Sequence, residues 1–324
     1  MTALQLLEDY MAERHALGFV AKTDEACIRR FLNDYADAED GKVEFSKEYV
    51  LQHVGNRLNM MSNTVHREAS AVNGFLDFVI RKGGKAYKIP TRSLPKASRD
   101  FKAYIFSDAE IERMLDAADH LLPCMQNPLL HHQLPVMFRI LFNCGLRSAE
   151  LRNLCVYDVD LERELLIIRD TKFHKTRLVP FTKPVADSLK QYIQILMPQS
   201  EDALLFPSPK TYGRRAVYSA SWLQSKLQML LNRAGIPYKG NGLGPRPHDT
   251  RHTFAVHCLN NWALSGEDLT AALPVLSRYL GHSGLRGTQK YLQLTAQMYP
   301  DITARLENLF GDLIPQREVL YEGH

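Results

Sequence analysis

Apolar positions in the first eighty residues recur at helical spacing. Ile28, Phe31, Leu32 and Tyr35 follow the i, i+3, i+4, i+7 rule of one buried helix face. Val72, Phe75, Leu76, Val79 and Ile80 repeat that rule further on, and Leu4, Leu7 and Met11 predict another such face near the start. Leu51, Val54 and Leu58 predict a further helix between them. Short amphipathic helices of this kind bury their faces against one another, so a small helical bundle is expected over residues 1–87. Arg81-Lys82-Gly83-Gly84-Lys85 ends the last of them, and residues 88–104, with Pro90 and Pro95, read as an extended linker.

A second domain is expected over residues 105–324. Ser107 has the spacing of an N-cap with Glu110 completing a capping box, and a long apolar run from Leu134 to Leu141 leads into Gly145-Leu146-Arg147. The texture then changes. Leu165-Leu166-Ile167-Ile168 and Arg177-Leu178-Val179-Pro180-Phe181 are short apolar runs around the polar segment 170–175, which predicts a β-hairpin. Pro180 weakens the second strand or confines it to a sheet edge. Helical texture returns to the end, where Ile302, Leu306, Leu309, Phe310 and Leu313 share a helix face. The fold class expected is mainly α: an N-terminal helical bundle plus a mixed α+β domain with a small hairpin sheet.

Composition narrows this picture only a little. The chain of 324 residues is 45% hydrophobic and 23% charged, ordinary values for a globular protein of two domains. No stretch approaches the roughly 20 apolar residues of a membrane span, and the start lacks the pattern of a signal peptide. A cytoplasmic location is therefore expected. Five scattered cysteines without a CxxC pair fit reduced thiols better than a disulfide framework or a zinc ribbon. A net charge of +4 permits nucleic-acid binding without demanding it. Its distribution says more: Arg81, Lys82, Lys85, Arg92, Lys96 and Arg99 crowd the end of the first domain and the linker, as in a strap that tracks a phosphate backbone.

The candidate chemistry is scattered. Arg147 and Glu150 share a helix face, an arrangement more common as a surface ion pair. In His248-Asp249-Thr250-Arg251-His252, a guanidinium and imidazoles project from the first turns of a helix begun by Pro247, and such a face can grip a phosphate. His248 and His252 also have the i, i+4 spacing of a zinc helix, but the glutamate of HExxH is missing. Gly281 is expected to end a helix, and Thr288 to cap the next, placing Tyr291 in its first turn. Lysines at a hairpin tip, here Lys172 and Lys175 with Arg177 beyond, are usually solvated and can also enter a DNA groove. Each feature alone has an ordinary structural explanation.

Their order does not. Arg147, Lys172, His248-x-x-Arg251, His282 and Tyr291 resemble the catalytic signature of the tyrosine recombinase (phage integrase) family, with flanking words GLRSAEL, RLVPF, HDTRHTFA and LGHSGLRGTQKYL. The likeness covers roughly residues 105–299. Thr250 departs from it, standing where the family often has an apolar residue, and the stretch 265–277 is longer than in compact chromosome-dimer resolvases. The style of that stretch is similar to integrases carried by transposons and other mobile elements.

The resemblance implies a core-binding N-terminal domain and a catalytic domain that cleaves and rejoins DNA through a 3′-phosphotyrosyl link. It implies Tyr291 as nucleophile, Arg147 and Arg251 as phosphate-gripping cations, His248 as proton acceptor, His282 as a phosphate hydrogen-bond donor and Lys172 as general acid. Glu150 is implied as an orienting group, and Lys175 and Arg177 as DNA contacts. It further implies no metal or ATP, double-stranded DNA with specific sites as partner, a tetrameric synapse and, for some members, accessory proteins. Bound to DNA, such a protein is nucleoid-associated. A type IB topoisomerase, a DNA-binding regulator that lost activity and a metal-dependent nuclease are the rival classes; the complete residue set disfavours the regulator, and missing carboxylates the nuclease.

Overall fold

The computed structural model describes residues 2–19, 22–35, 43–96, 103–169, 176–209, 216–238, 240, 244–282, 284 and 286–298. The chain divides into two compact units, Met1–Phe101 and Lys102–His324. No helix among the described residues is long and apolar enough to cross a membrane.

In the first unit, helices α1 (Ala3–Ala16), α2 (Lys22–Leu32), α3 (Lys47–Gly55) and α4 (Ser62–Arg81) enclose one core. Thr2 and Gln5 form a capping box that starts α1, and Ser46 caps α3. Phe31, Phe45, Val72, Phe75 and Leu76 are fully buried, and each such aromatic contributes roughly 1.5–3 kcal/mol by leaving water. The faces differ at their edges from the predicted ones. Leu4 is exposed, because the buried arc of α1 centres on Leu7 and runs through Ala3, Leu6 and Tyr10. Leu51 and Leu58 are exposed as well: α3 turns Val50 inward and ends before Leu58 is reached.

A two-residue parallel pairing of β1 (Glu44–Phe45) with β2 (Lys85–Ala86) escaped the sequence reading. It is too short to leave an alternating pattern. The segment expected as linker is partly built into this unit. Ile89 and Leu94 enter the core, and the Asn73 side chain exchanges two hydrogen bonds with the Ile89 backbone, at 2.8 and 2.9 Å.

The second unit is assembled around α6 (Leu130–Cys144), which is apolar on nearly every side and correspondingly buried. It packs against α5 (Asp108–Asp119), α8 (Lys183–Leu196) and α10 (Pro247–Ser265). The short α7 (Ser148–Asn153) follows, α9 (Ala220–Arg233) packs on α5, and α11 (Leu269–Tyr279) and α12 (Arg286–Met298) pack with α10 into a second cluster. The Ser107–Glu110 capping box that starts α5 is formed in full.

The hairpin is present as β4 (Leu165–Ile168) and β5 (Arg177–Pro180), paired antiparallel with Ile168 opposite Arg177 and Leu165 opposite Pro180. A two-residue strand β3 (Val159–Asp160) adds on the other side of β4, so β5 with its proline lies at the sheet edge. The five cysteines are free thiols; Cys27, Cys144 and Cys155 are buried.

Candidate active site

Three chain reversals create the site. Gly145 ends α6 in the left-handed conformation, with φ +57°. A Cβ there would sit 2.5 Å from the Phe254 ring, so glycine is required twice over. The backbone then re-enters a helix at once, with Arg147 at the N-cap of α7. The Glu150 carboxylate reaches back to accept from the Arg147 backbone N–H at 2.8 Å and from its guanidinium at 2.8 Å.

The second reversal starts α10. Pro247 occupies its first position, where no N–H is needed, and Asp249 accepts from the backbone N–H of Arg246 at 2.9 Å. Thr253 fixes the helix to the start of the unit by accepting from the Phe106 N–H at 3.0 Å. The third is the end of α11, where Gly281 has φ +65°.

Helix ends expose unpaired carbonyls and carry partial negative charge, which favours cations. Here three arginines use consecutive ones. Arg177 Nε donates to Tyr279 O at 2.9 Å, Arg251 Nη2 donates to Leu280 O, and Arg147 Nη2 donates to Gly281 O at 2.7 Å. Arg251 also donates to Gly145 O at 2.8 Å. It is fully buried, and desolvation, followed by the charge of Arg147, lowers its pKa to about 10. It remains a cation at neutral pH.

Tyr291 lies on α12 in the same cluster as Leu276, Leu280 and Leu292. Its phenol oxygen is buried beside the Arg251 guanidinium, close enough to feel its charge, but makes no hydrogen bond of good geometry among the described residues. Burial raises its pKa above 10, while the charges of Arg251 and Arg147 pull the other way. The His252 ring centroid is 5.4 Å from the Tyr291 ring and that of His282 is 6.0 Å away, nearly parallel to it. His282 is held through Nδ1 by Thr288 Oγ1 at 2.8 Å. That contact corrects the role expected of Thr288: α12 begins at Arg286, so Thr288 lies within the helix, and Tyr291 falls in its second turn.

All three histidines are neutral at pH 7. Loss of hydration and then the neighbouring cations hold His248 and His282 to about 4 and His252 to about 2. The His248 ring still reaches solvent, whereas His252 is fully buried. No group of three or more His, Cys, Asp or Glu side chains among the described residues is placed to hold a metal ion.

The sequence-predicted set is thus largely brought together: Arg147, Glu150, Arg251, His248, His282 and Tyr291 converge where α7, α10, α11 and α12 meet. Lys172, Lys175 and Arg99 lie outside the described residues. Arg177 is not the DNA-facing side chain that its place in a basic hairpin predicted. It is turned inward, only 10% exposed, and spent on Glu150. On the first unit, Arg81 pairs with Glu13 at 2.7 Å, Lys82 lies over the Phe78 ring, and Lys85, Arg92 and Lys96 are exposed. Lys290, not singled out in the sequence, sits with its ammonium 5.2 Å from the Tyr291 ring centroid; desolvation, then Arg251, lowers its pKa. Its position beside Tyr291 in the chain was the available signal.

The phage integrase family model matches residues 105–298, the span that holds every one of these converging side chains. The chain belongs to the phage integrase family. It is a tyrosine recombinase, an enzyme of site-specific DNA recombination. A Sinorhizobium fredii protein named as integrase/recombinase y4rB is 29% identical over 322 residues, covering 96% of this chain and 99% of its own length. Tyrosine recombinase XerC of Pseudomonas fluorescens is 30% identical over 239 residues, 73% of this chain and 71% of XerC. Among solved structures, the XerH recombinase bound to palindromic difH has a TM-score of 0.63 at 17% identity, over 94% of this chain and 85% of XerH. The Tn1549 transposon integrase in complex with transposon right-end DNA has a TM-score of 0.61 at 18% identity, over 94% of this chain and all of that one. At such identities the recombinase shares a fold with them.

Proposed function

We propose that Tyr291 attacks a backbone phosphorus of double-stranded DNA, expelling a 5′-hydroxyl and leaving a 3′-phosphotyrosyl bond. A phosphodiester is anionic and repels nucleophiles, so its cleavage depends on positioning and charge stabilisation. Arg147 and Arg251 supply the two guanidinium forks for the non-bridging oxygens. His248, neutral at pH 7, accepts the phenol proton. His282, held through Nδ1, presents Nε2 to the phosphate, and Lys172 protonates the leaving oxygen. The new ester conserves the energy of the old, so attack by a 5′-hydroxyl of a partner strand rejoins the DNA without ATP. Strand exchange between two sites requires protomers acting together, a tetramer on DNA.

One observation carries this reading: Arg147 and Arg251, 104 positions apart in the chain, are anchored on the neighbouring carbonyls of Gly281 and Leu280, beside the His282–Tyr291 ring pair. The test uses a duplex library with randomised half-sites, from which covalently captured DNA is recovered and sequenced. The captured site is then offered as a nicked suicide duplex. Wild type forms a denaturation-resistant adduct, and Tyr291→Phe forms none while still shifting the DNA on a native gel. An adduct in that variant overturns the assignment of the nucleophile. Slow cleavage by Lys172→Ala should recover with a 5′-thiol leaving group; without that recovery Lys172 is not the acid.

A further inference from the structure

The proposed mechanism leaves the nearly buried guanidinium of Arg177 unused, although it lies among the site's cations. Arg177 stands at the first position of β5, 10% exposed, and every nitrogen of its guanidinium is committed to the protein. Nη1 and Nη2 donate to Glu150 Oε1 and Oε2 at 2.9 and 2.7 Å, a two-pronged pairing. Nε donates to Tyr279 O at 2.9 Å. Glu150 in turn accepts both the backbone and the side-chain bond from Arg147.

Its carboxylate therefore receives four hydrogen bonds. Burial alone would raise its pKa, but the bonds and charge of Arg177 and Arg147 outweigh that and hold it at about 2. Four bonds restrain rotation of the carboxylate and, through it, the Arg147 guanidinium that rests on it. The other end of Arg177 grips the carbonyl immediately before the two that orient Arg251 and Arg147. One side chain thus fixes both supports of Arg147: the carboxylate below it and the helix end beside it.

We infer that Arg177 is a positioning residue for the cleavage step, holding the phosphate-gripping guanidinium of Arg147 through Glu150 and the α11 terminus. This rests on the proposed roles of Arg147 and Tyr291. A lysine at this place would keep the charge and lose the two-pronged geometry.

The test compares wild type, Arg177→Ala, Arg177→Lys and Glu150→Gln on the captured suicide duplex, made once with a natural phosphate at the cleavage position and once with a neutral methylphosphonate. Wild-type adduct formation checks the underlying reading; if it is absent, that reading fails and Arg177 is not at issue. With wild type active, Arg177→Ala should cut the single-turnover cleavage rate on the phosphate by about 100-fold, the scale expected of an ångström-sized misplacement. DNA affinity should be unchanged. On the methylphosphonate the defect should shrink at least tenfold, because less charge remains for Arg147 to neutralise. Arg177→Lys should recover part of the rate, and adding Arg177→Ala to Glu150→Gln should cost less than it does in wild type. An equal defect on both substrates, or full additivity with Glu150→Gln, overturns the inference. If Arg177→Ala does not fold, Arg177→Lys carries the same substrate comparison.

Discussion

Arg147 and Arg251 donate to the carbonyls of consecutive residues, Gly281 and Leu280. Nothing in their positions along the chain requires this. It arises because α6 and α11 both stop at a left-handed glycine, leaving carbonyls aimed at the space between them. The helix end acts as a jig: its partial negative charge draws two like charges to one place that would otherwise repel each other.

Gly281→Ala should disturb that jig more than the fold. With φ at +65°, alanine carries a backbone penalty of about 1–2 kcal/mol. Its Cβ would lie 3.3 Å from Arg177 Nη1, which must give by a few tenths of an ångström, and in ordinary contact with Arg147 Nη1 at 3.5 Å, so the strained turn and the displaced Arg177 together disturb the site. A modest fall in Tm is expected, together with a loss of suicide-substrate cleavage of about tenfold or more, on the scale of oriented-group effects. Native-gel DNA affinity should hold. Unimpaired cleavage would show that the carbonyls do not set the arginine positions.

Tyr291→Phe should be at least as stable as wild type. The phenol oxygen is buried and its approach to Arg251 falls short of a well-formed hydrogen bond, and a poorly satisfied buried hydroxyl costs roughly 1–3 kcal/mol. Removing it deletes that penalty and opens little space. Urea unfolding of the DNA-free protein decides the point; a clear drop in the variant's midpoint would mean that the hydroxyl is bonded in solution. An unchanged or higher midpoint means that the functional group is kept at a stability cost that substitution relieves.

Stability should fall as pH drops from 6.5 towards 4.5. The ordinary histidine value is 6.5, and the folded values for His252, His282 and His248 are lower, at about 2, 4 and 4. In that window the unfolded chain binds protons that the native state does not, so unfolding is favoured as acid is added. Glu150, lowered from 4.5 to about 2, acts in the same direction only below 4.5. The urea midpoint is therefore expected to be flat above pH 6.5 and to slope below it. His252→Gln and His282→Gln should flatten the slope, and His248→Gln less so, since its ring is open to solvent.

What could be read from sequence was local. The Ser107–Glu110 box, the hairpin strands and the glycine ending α11 each depend on neighbours a few residues away, and each formed as its residue types dictate. The inward turn of Arg177 was not legible, because its partners lie 27 and 102 positions away and only tertiary packing reveals them. Thr288 has the residue type of a cap, but His282 recruits its hydroxyl from inside the helix. The family motifs picked out side chains that the fold brings together; the carbonyls that aim the arginines among them carry no side-chain signature at all.

The last prediction concerns the first unit, treated by itself. Glu68 on α4 is 3% exposed and gathers three partners: Arg30 at 3.1 Å, Arg57 at 3.1 Å and His53 at 3.2 Å. It joins α2, α3 and the turn after α3 to α4. Removing one member of a fully buried ionic cluster typically costs about 3–5 kcal/mol; here Arg30 and Arg57 keep 46% and 22% of their side chains exposed, so the cost falls below that range. Because the chain forms two compact units, Glu68→Ala should weaken one and spare the other. Hydrogen exchange on the full chain reads this directly. Protection should collapse over residues 2–94, while α6 and α10 exchange as in wild type. Equal loss in both units would mean that they unfold as one.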